Sequence, residues 1–331
     1  MRIMRLDDPT DLASYDTPEG WQRLSREEIA RQAPQRSLVA VRDGALVARC
    51  SLWWDDVPAL GDDRLGVIGH YGALDRDAAL AMLDAACGDL AQEGRTRAVG
   101  PMDGNTWQRY RLVVERGTEP PFFLEPTNPP EWPTHFTDAR FAPLASYFSA
   151  LNDDLSQRDP RAAAVADRLT GIGVTVRELD PARFEEELAR VYRVSVFSFR
   201  DAFLYTPLSE AAFTSQYRAI KPLVRPELVL LAEREGEPVG FSFTVPDALE
   251  AARGAPPKTV VFKTLAILPD RRTYSGLGSL MADRTHEAAR ELGYTRAIHA
   301  LMHESNFSRA MSNRTGHTIR RYALFARTLA D

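Results

Sequence analysis

The sequence predicts an α/β protein in which one structural unit occurs twice along the chain. In the first half, two β-rich runs between Leu38 and Leu52 flank an Asp-Gly turn, which predicts a β-hairpin. In the second half, segment 228–243 has the same pattern around a Glu-Gly turn. Each hairpin is followed by a further strand and then a helix; these predicted segments are 65–73, 77–93, 259–268 and 277–292.

The two predicted helices also end alike, which supports a duplicated unit. A glycine follows each helix, Gly94 in the first half and Gly293 in the second, at the usual position of a helix C-terminal cap. Residues 145–151 alternate in the manner of a final strand of the first unit, and the strand at 174–179 opens the second. We therefore predict two domains, residues 1–153 and 154–331.

Composition limits the classes of protein that this chain can belong to. The 331 residues are 44% hydrophobic and 26% charged, as in soluble globular proteins. A net charge of −5 argues against a general nucleic-acid binder. No apolar run reaches the length of a membrane helix and the N-terminus lacks a signal peptide, so we expect a cytoplasmic protein without a membrane partner. Cys50 and Cys87 are predicted to be buried thiols, and no residue cluster has the spacing of metal ligands.

The junction between the strand at 259–268 and the following helix is the most informative segment. It is basic and contains two glycines, Gly276 and Gly278, directly before an amphipathic helix. Unpaired backbone N–H groups and the positive end of the helix dipole meet there, which favours a bound phosphate. The corresponding segment of the first half, 72–77, is shorter and acidic, so an anion site is predicted in the second half alone.

This junction resembles the acyl-coenzyme A site of the GNAT superfamily of N-acetyltransferases. Their signature is Arg/Gln-x-x-Gly-x-Gly/Ala after the fourth strand, preceded by Leu-x-Val-x-Pro. This chain has Leu265-Ala-Ile-Leu-Pro269 followed by Thr273-Tyr-Ser-Gly-Leu-Gly278, in which Thr273 departs from the usual Arg or Gln. The resemblance covers residues 173–328, and a degenerate second copy covers the first half.

The resemblance implies two GNAT-like domains, each a mixed, mostly antiparallel twisted sheet flanked by helices. It also implies acetyl-coenzyme A as the cofactor, with its pyrophosphate on the basic turn and its pantetheine arm along the strand edge. The cofactor-binding residues implied in this way are Leu265, Ala266, Ile267, Arg271, Arg272, Thr273, Tyr274, Ser275, Gly276, Leu277, Gly278, Ser279 and Asn306.

In this superfamily an amine attacks the thioester directly, so a base must remove the ammonium proton. His303 and Glu304, just past the fifth strand, are the candidates, and structural roles for both remain open. The position that usually holds a tyrosine acid is Ser312 in this chain. Tyr322 or Tyr274 could replace it, and the spacing selects neither.

Two segments are candidates for the acceptor pocket. Residues 197–205 join the first two helices of the second unit, where Arg200 could bind a substrate carboxylate or amine and Tyr205 could line the pocket. In the first half, Trp107 lies in a segment rich in polar and aromatic residues that suggests a pocket wall. A place in the hydrophobic core is the alternative for Trp107.

The sequence therefore predicts an acetyl-coenzyme A-dependent N-acetyltransferase that acts on a primary amine of a small molecule, peptide or protein. The alternative is a non-catalytic acyl-coenzyme A sensor, which is motivated by the missing tyrosine and by the uncertain general base. A third possibility, an enzyme that uses charged tRNA, conflicts with the acidic balance of the chain. The sequence does not specify the amine acceptor or the oligomeric state.

Overall fold

The computed structural model describes residues 1–270, 272–305 and 316–329. Within these ranges the chain forms thirteen β-strands and eight α-helices. The strands are β1 (Arg2–Arg5), β2 (Arg36–Arg42), β3 (Ala45–Trp53), β4 (Leu65–Ala73), β5 (Arg97–Gly100), β6 (Leu112–Glu115), β7 (Ala142–Asn152), β8 (Val174–Glu178), β9 (Val229–Arg234), β10 (Glu237–Pro246), β11 (Thr259–Ile267), β12 (Arg296–His303) and β13 (His317–Thr328). The helices are α1 (Arg26–Gln32), α2 (Arg76–Gln92), α3 (Trp132–Asp138), α4 (Ala162–Gly171), α5 (Phe184–Phe199), α6 (Glu210–Ile220), α7 (Ala248–Ala252) and α8 (Leu277–Glu291).

All thirteen strands belong to one sheet. Its order is β1-β2-β3-β4-β5-β13-β7-β12-β11-β10-β9-β8, and β6 pairs with β13 beside this path. Two neighbouring pairs are parallel, β4 with β5 and β11 with β12, and the other pairs are antiparallel. This mixed, mostly antiparallel sheet with flanking helices confirms the predicted fold class.

The two halves of the chain exchange their last strands. β7 of the first half pairs with β12 of the second, with His299 opposite Ala150. β13 of the second half lies between β7 and β5, with Phe325 opposite Gly100. Each half of the sheet is therefore completed by the other half of the chain. The predicted boundary after residue 153 stays a prediction, because the exchange makes one continuous sheet.

Helices cover both faces of the sheet and enclose several hydrophobic clusters. In the first half, α2 packs on β2, β3 and β4 through its apolar side chains, among them Met82 and Leu83, which are fully buried. In the second half, α8 and α4 cover one face, and α5 and α6 cover the other. The β11–β12 pair lies between these two helix layers, and β11 leads into the segment that resembles the GNAT signature.

Cys50 and Cys87 are buried free thiols, as predicted. Burial raises the pKa of Cys87 to about 12, so this thiol stays protonated. Among the described residues, none of the helices combines the length and apolarity needed to cross a bilayer. In the same ranges, no group of three or more His, Cys, Asp or Glu side chains is placed to hold a metal ion.

Candidate functional site

β11 and β12 begin as a parallel pair and then separate. Their pairing runs from Thr259 opposite Arg296 to Phe262 opposite His299. Beyond that point β11 stays bonded to β10 and β12 to β7, and no backbone hydrogen bond joins β11 to β12 in the part of the chain that the structure describes. We call this opening the fork. Residues 263–267 present an edge to it, and such an edge can bond an extended ligand as an added strand.

The three predicted contacts on this edge differ in where their side chains lie. Leu265 and Ile267 pack toward the hydrophobic cluster beneath α8, and Ala266 is buried in the cluster on the opposite face. The hydroxyl of Ser198 on α5 donates a hydrogen bond to the carbonyl of Ile267 (3.0 Å). A ligand in the fork would therefore meet backbone groups, while the side chains belong to the core.

The fork points toward the first turn of α8. Gly276 precedes this helix in the left-handed conformation (φ 78°), and no side chain caps the first-turn amides. A Cβ at Gly278 would lie 3.2 Å from the Ile267 side chain, so the helix start sits close against β11. Uncapped amides at the positive end of a 15-residue helix form a site for an anion.

Hydrogen bonds hold the preceding loop in a fixed shape. The Asp270 carboxylate accepts from the Thr273 amide (3.1 Å), and the Asp270 carbonyl accepts from the Tyr274 amide (3.0 Å). The hydrogen bond from Thr273 lowers the pKa of Asp270, which keeps this acceptor ionised. Arg168 on α4 donates to the carbonyls of Thr273 (3.2 Å) and Ser275. These two carbonyls are therefore bound to a cation.

The remaining predicted cofactor contacts in this loop differ in how exposed they are to solvent. Arg272 is exposed beside the loop, Leu277 is fully buried under the start of α8, and Ser279 is half-buried in its first turn. Arg271 and Asn306 lie outside the described residues. Arg272 is thus the one described cation that the loop itself offers to an anion at this position.

His303 ends β12 at the far side of the fork. Its Nδ1 accepts a hydrogen bond from the Ser305 amide (3.1 Å) and lies 2.7 Å from the Ser305 hydroxyl. The ring packs against Tyr147 and Phe203, with centroids 5.0 and 5.5 Å away. Burial, together with the Arg111 cation, lowers the pKa of His303. The imidazole is therefore uncharged at neutral pH.

Tyr322 lies on β13 inside a buried polar cluster. Its hydroxyl donates to Glu125 Oε1 (2.6 Å) and is 3.0 Å from the Ser149 hydroxyl. Glu125 in turn forms an ion pair with Arg320 (2.8 Å), and both of these side chains are at most 4% exposed. Burial raises the pKa of Tyr322, so the phenol stays protonated. These contacts place Tyr322 at the joint between the halves, and its predicted catalytic role stays a prediction.

Two other predicted site residues take part in surface ion pairs. Glu304 pairs with Arg321 of β13 (2.9 Å), and both side chains are about two-fifths exposed (40% and 39%). Arg200, after α5, lies 3.5 Å from Asp201, and both are well exposed. Neither arrangement brings a charge into the fork.

Trp107 and Tyr205 meet where the first half contacts the second. The Trp107 ring packs edge-on against Phe199, Tyr205 and Phe213, with centroids 5.9–6.5 Å apart. Its indole N–H donates to the Thr206 carbonyl (2.8 Å). The Tyr205 hydroxyl is buried without a hydrogen-bond partner among the described residues. Trp107 therefore anchors the first half onto α5 and α6.

Lys263 also lies at the narrow end of the fork, and it was not among the predicted site residues. It occupies a β-bulge of β11: Phe262 pairs with Thr244 and Thr264 with Phe243, which leaves Lys263 without an opposite residue. The side chain is partly buried and forms no hydrogen bond or ion pair with the residues that the structure describes. A signal was present, because Lys263 is one of three lysines and the sole charge between Thr259 and Ile267.

Arg111, contributed by the first half, was also missed. Its guanidinium lies between the rings of Tyr110 and Tyr147, 3.9 and 4.1 Å from their centroids. It donates to the carbonyl of Leu301 on β12 (3.4 Å), two residues past the last residue of β12 that pairs with β11. No local pattern identifies this residue, because the contact joins positions 190 residues apart.

Comparisons with known sequences give weak matches. No family model matches the chain. A bacterial ceramide synthase from Caulobacter vibrioides is 27% identical over 218 residues, which covers 64% of this chain and 56% of that protein. Protein YghO from Escherichia coli is 24% identical over 221 residues, with 64% and 55% covered. The chain thus spans little more than half the length of the curated relatives it matches.

Comparisons with solved structures match nearly the whole chain. A GCN5-related N-acetyltransferase from Sphaerobacter thermophilus has a TM-score of 0.52 at 13% identity and covers 99% of this chain and 96% of its own. A tandem GNAT protein from the clavulanic acid biosynthesis pathway also has a TM-score of 0.52 at 13% identity, with 100% and 99% covered. A GCN5-related glucosamine N-acetyltransferase region of a fungal GH3 β-N-acetylglucosaminidase reaches 0.56 at 12% identity, with 98% and 38% covered. This protein therefore has the fold of the GNAT N-acetyltransferases.

Proposed function

We propose that the protein is an acyl-coenzyme A-dependent N-acyltransferase, and that it moves an acetyl group to a primary amine. The supporting observation is the fork, which opens onto the uncapped first turn of α8. Coenzyme A carries a pyrophosphate at one end and the thioester at the other. In the proposal, the backbone amides of residues 275, 276, 278 and 279 and the Arg272 side chain hold the pyrophosphate, while the amides of 273, 274 and 277 donate within the loop. The edge at 263–267 bonds the pantetheine arm.

The dimensions of the strand suit this orientation. Four residues of β11 follow Lys263, which is about 13 Å at the usual rise per residue. An extended arm along this edge would place the thioester near Lys263 and Arg111, at the narrow end of the fork. There the amine nitrogen would attack the thioester carbonyl carbon. Backbone N–H groups of the bulged strand are available to polarise the carbonyl oxygen. Holding both reactants in one geometry would supply much of the rate.

The relatives suggest two classes of acceptor. The structural neighbours are named as N-acetyltransferases, one of them for glucosamine, which supports a small polar amine. The Caulobacter relative is named a ceramide synthase, and a ceramide is the amide of a long-chain amine. A long-chain amine with a longer acyl donor is therefore the second candidate. The net charge of −5 supports either over a nucleic acid, and we place the reaction in the cytoplasm.

Ligand-induced stabilisation tests the proposal. Acetyl-coenzyme A, free coenzyme A and palmitoyl-coenzyme A are each added in a thermal unfolding series. A ligand at a hundred times its Kd should stabilise the wild type by about 2.7 kcal/mol. Ser275→Asp places a negative charge beside the α8 amides and should weaken binding at least about tenfold. Ser275→Asn has nearly the same shape without the charge and should bind like the wild type, since Ser275 is exposed.

Thiol release from the bound thioester then tests catalysis. The acceptors are glucosamine, spermidine, a lysine peptide and sphinganine, each with the acetyl and the palmitoyl donor. Turnover with one of these amines supports the transferase and selects its acceptor class. Binding without thiol release from any combination would support the non-catalytic sensor instead. Absence of stabilisation by all three coenzyme A compounds would remove both functions.

A further inference from the structure

Lys263 stands where the two strands of the fork separate. Phe262, the residue before it, is the last residue of β11 that pairs with β12. If the register of the paired segment is carried forward, Ala300 lies opposite Lys263, beside Leu301. Because the Leu301 carbonyl accepts a hydrogen bond from Arg111, the guanidinium borders the narrow end of the fork. Both cations therefore belong to this end of the fork, and the charge of Arg111 acts on Lys263.

The other groups around Lys263 leave it in a net positive environment. Glu125 is the carboxylate whose charge acts on Lys263, and that charge is already paired with Arg320 and bonded by Tyr322. Tyr217 interacts with Thr264, the residue after Lys263, and the phenol stays protonated because burial raises its pKa to about 12.

This environment favours the uncharged amine of Lys263. Burial, the larger cause, and the Arg111 cation lower its pKa to about 7, and Glu125 opposes them. At neutral pH roughly half of the molecules would carry Lys263 as a free amine that can accept a proton.

We propose that Lys263 is the general base of the transfer reaction, and that Arg111 from the first half of the chain completes this centre. The inference rests on the proposed N-acyltransferase function. The Lys263 amine takes one proton from the acceptor ammonium, and the freed nitrogen lone pair forms the C–N bond at the thioester carbonyl. The C–S bond then breaks, and the leaving thiolate takes the second proton from nitrogen. Lys263 releases its proton to solvent, so each turnover yields an amide, a thiol and one H⁺.

Lys263 is better placed for this role than His303. His303 lies three residues beyond Ala300 on β12, toward the open mouth of the fork. Its Nδ1 is engaged by Ser305. Lys263, in contrast, has no hydrogen-bonding partner in the described ranges and lies at the narrow end.

The first test measures the protonation of Lys263 without any substrate. The chain has three lysines, so selective ¹³C-lysine labelling gives a simple NMR spectrum in which Lys221 and Lys258 serve as internal references. We expect one resonance to titrate near pH 7 and to be absent in Lys263→Met. In Arg111→Met its midpoint should rise, because a neighbouring positive charge is removed, whereas Arg111→Lys keeps that charge and should leave it nearly unchanged. Titration of Lys263 near 10 in the wild type would overturn the proposal.

The second test is a pH–rate profile of thiol release with the donor and amine that the wild type turns over. We expect the acidic limb of kcat/KM to have its midpoint near 7. Lys263→Met and Lys263→Arg should lower the rate about 10²–10⁴-fold, because neither side chain can accept the proton. Lys263→His, which can, should recover part of this loss. Acetyl-coenzyme A should stabilise all three variants as it does the wild type.

The outcomes separate the two proposals. Normal donor binding together with full activity of Lys263→Met or Lys263→Arg would remove the base role and leave the transferase function intact. Absence of donor binding by the wild type would remove the transferase function, and the base role with it.

Discussion

Each half of the molecule contains one parallel strand pair, β4–β5 in the first half and β11–β12 in the second. The gap beyond the paired residues is closed by hydrogen bonds in the first half and open in the second. β4 and β5 pair from Leu65 to Val67, and then the first half closes the gap with its own chain. The Met102 amide donates to the Ile68 carbonyl (2.8 Å), and the Asp103 carboxylate accepts from the amide of His70 (2.6 Å). In the second half no such bond crosses the fork between the described residues.

The helices that follow show the same contrast. Asp75 caps α2 by accepting from the Ala78 amide (2.8 Å), and it forms an ion pair with Arg42 (2.8 Å). The first turn of α8 has no side-chain cap. The first half thus places a carboxylate of its own at both positions where we propose that the second half holds a ligand. In the proposed reaction the first half then contributes Arg111 at the fork, and Trp107 packs the first half against α5 and α6.

The largest predicted effect concerns the fifth residue of each strand, Gly69 in β4 and Lys263 in β11. A Cβ at Gly69 would lie 2.2 Å from the Met102 carbonyl oxygen and 2.7 Å from Asp103 Cα, so the closed gap has no room for it. We expect Gly69→Ala to lower the free energy of unfolding by about 3 kcal/mol. Lys263→Ala, in the open fork, should change it by less than about 1 kcal/mol. Urea unfolding measures both free energies. Equal losses of stability in the two variants would contradict the difference between a closed gap in the first half and an open fork in the second.

The second prediction concerns acid sensitivity. His286 of α8 and His299 of β12 are buried, with their Nε2 atoms 3.0 Å apart, and the residue corresponding to His299 in the first half is Gly100. Burial lowers the pKa of His286 to about 4 and that of His299 to about 3. Well above pH 6.5 both are neutral whether folded or unfolded, so their contribution to stability is complete. As the pH falls below 6.5, the unfolded chain binds protons that the folded chain excludes, and stability decreases until the folded-state pKa values are passed.

We expect each of the two histidines to lower the free energy of unfolding by up to about 2 kcal/mol at pH 5 relative to pH 7.5. The double variant His286→Phe/His299→Phe should remove most of this difference. A smaller decrease of the free energy of unfolding with falling pH should remain, because burial also lowers the pKa of His70 in the first half. An unchanged pH dependence in the double variant would place the acid-sensitive groups elsewhere. Urea unfolding at several pH values provides the measurement.

The sequence predicted the local features of the fold, and the reason is that their determinants are local. The predicted helices at 77–93 and 277–292 differ by at most one residue at each end from Arg76–Gln92 and Leu277–Glu291. The strand exchange was not predicted, because nothing near β7 or β13 specifies the partner strand. Arg111 was missed for the same reason, since its contact spans 190 residues. Lys263 was missed because strand periodicity does not reveal a bulge, and the bulge is what leaves Lys263 unpaired.

The smallest predicted effect tests whether the Asp75 carboxylate occupies the position at the start of α2 where an anion could otherwise bind. Asp75→Ala removes the α2 cap and should cost about 1 kcal/mol. Asp75→Asn keeps a capping oxygen and loses the exposed ion pair with Arg42, so it should cost only a few tenths of that. Neither change should alter the stabilisation by acetyl-coenzyme A, because the proposed cofactor site lies on α8. A reduced cofactor shift in Asp75→Ala at unchanged fold would show that the first half also contacts the cofactor. The contrast between the halves would then hold for the fork and not for the helix starts.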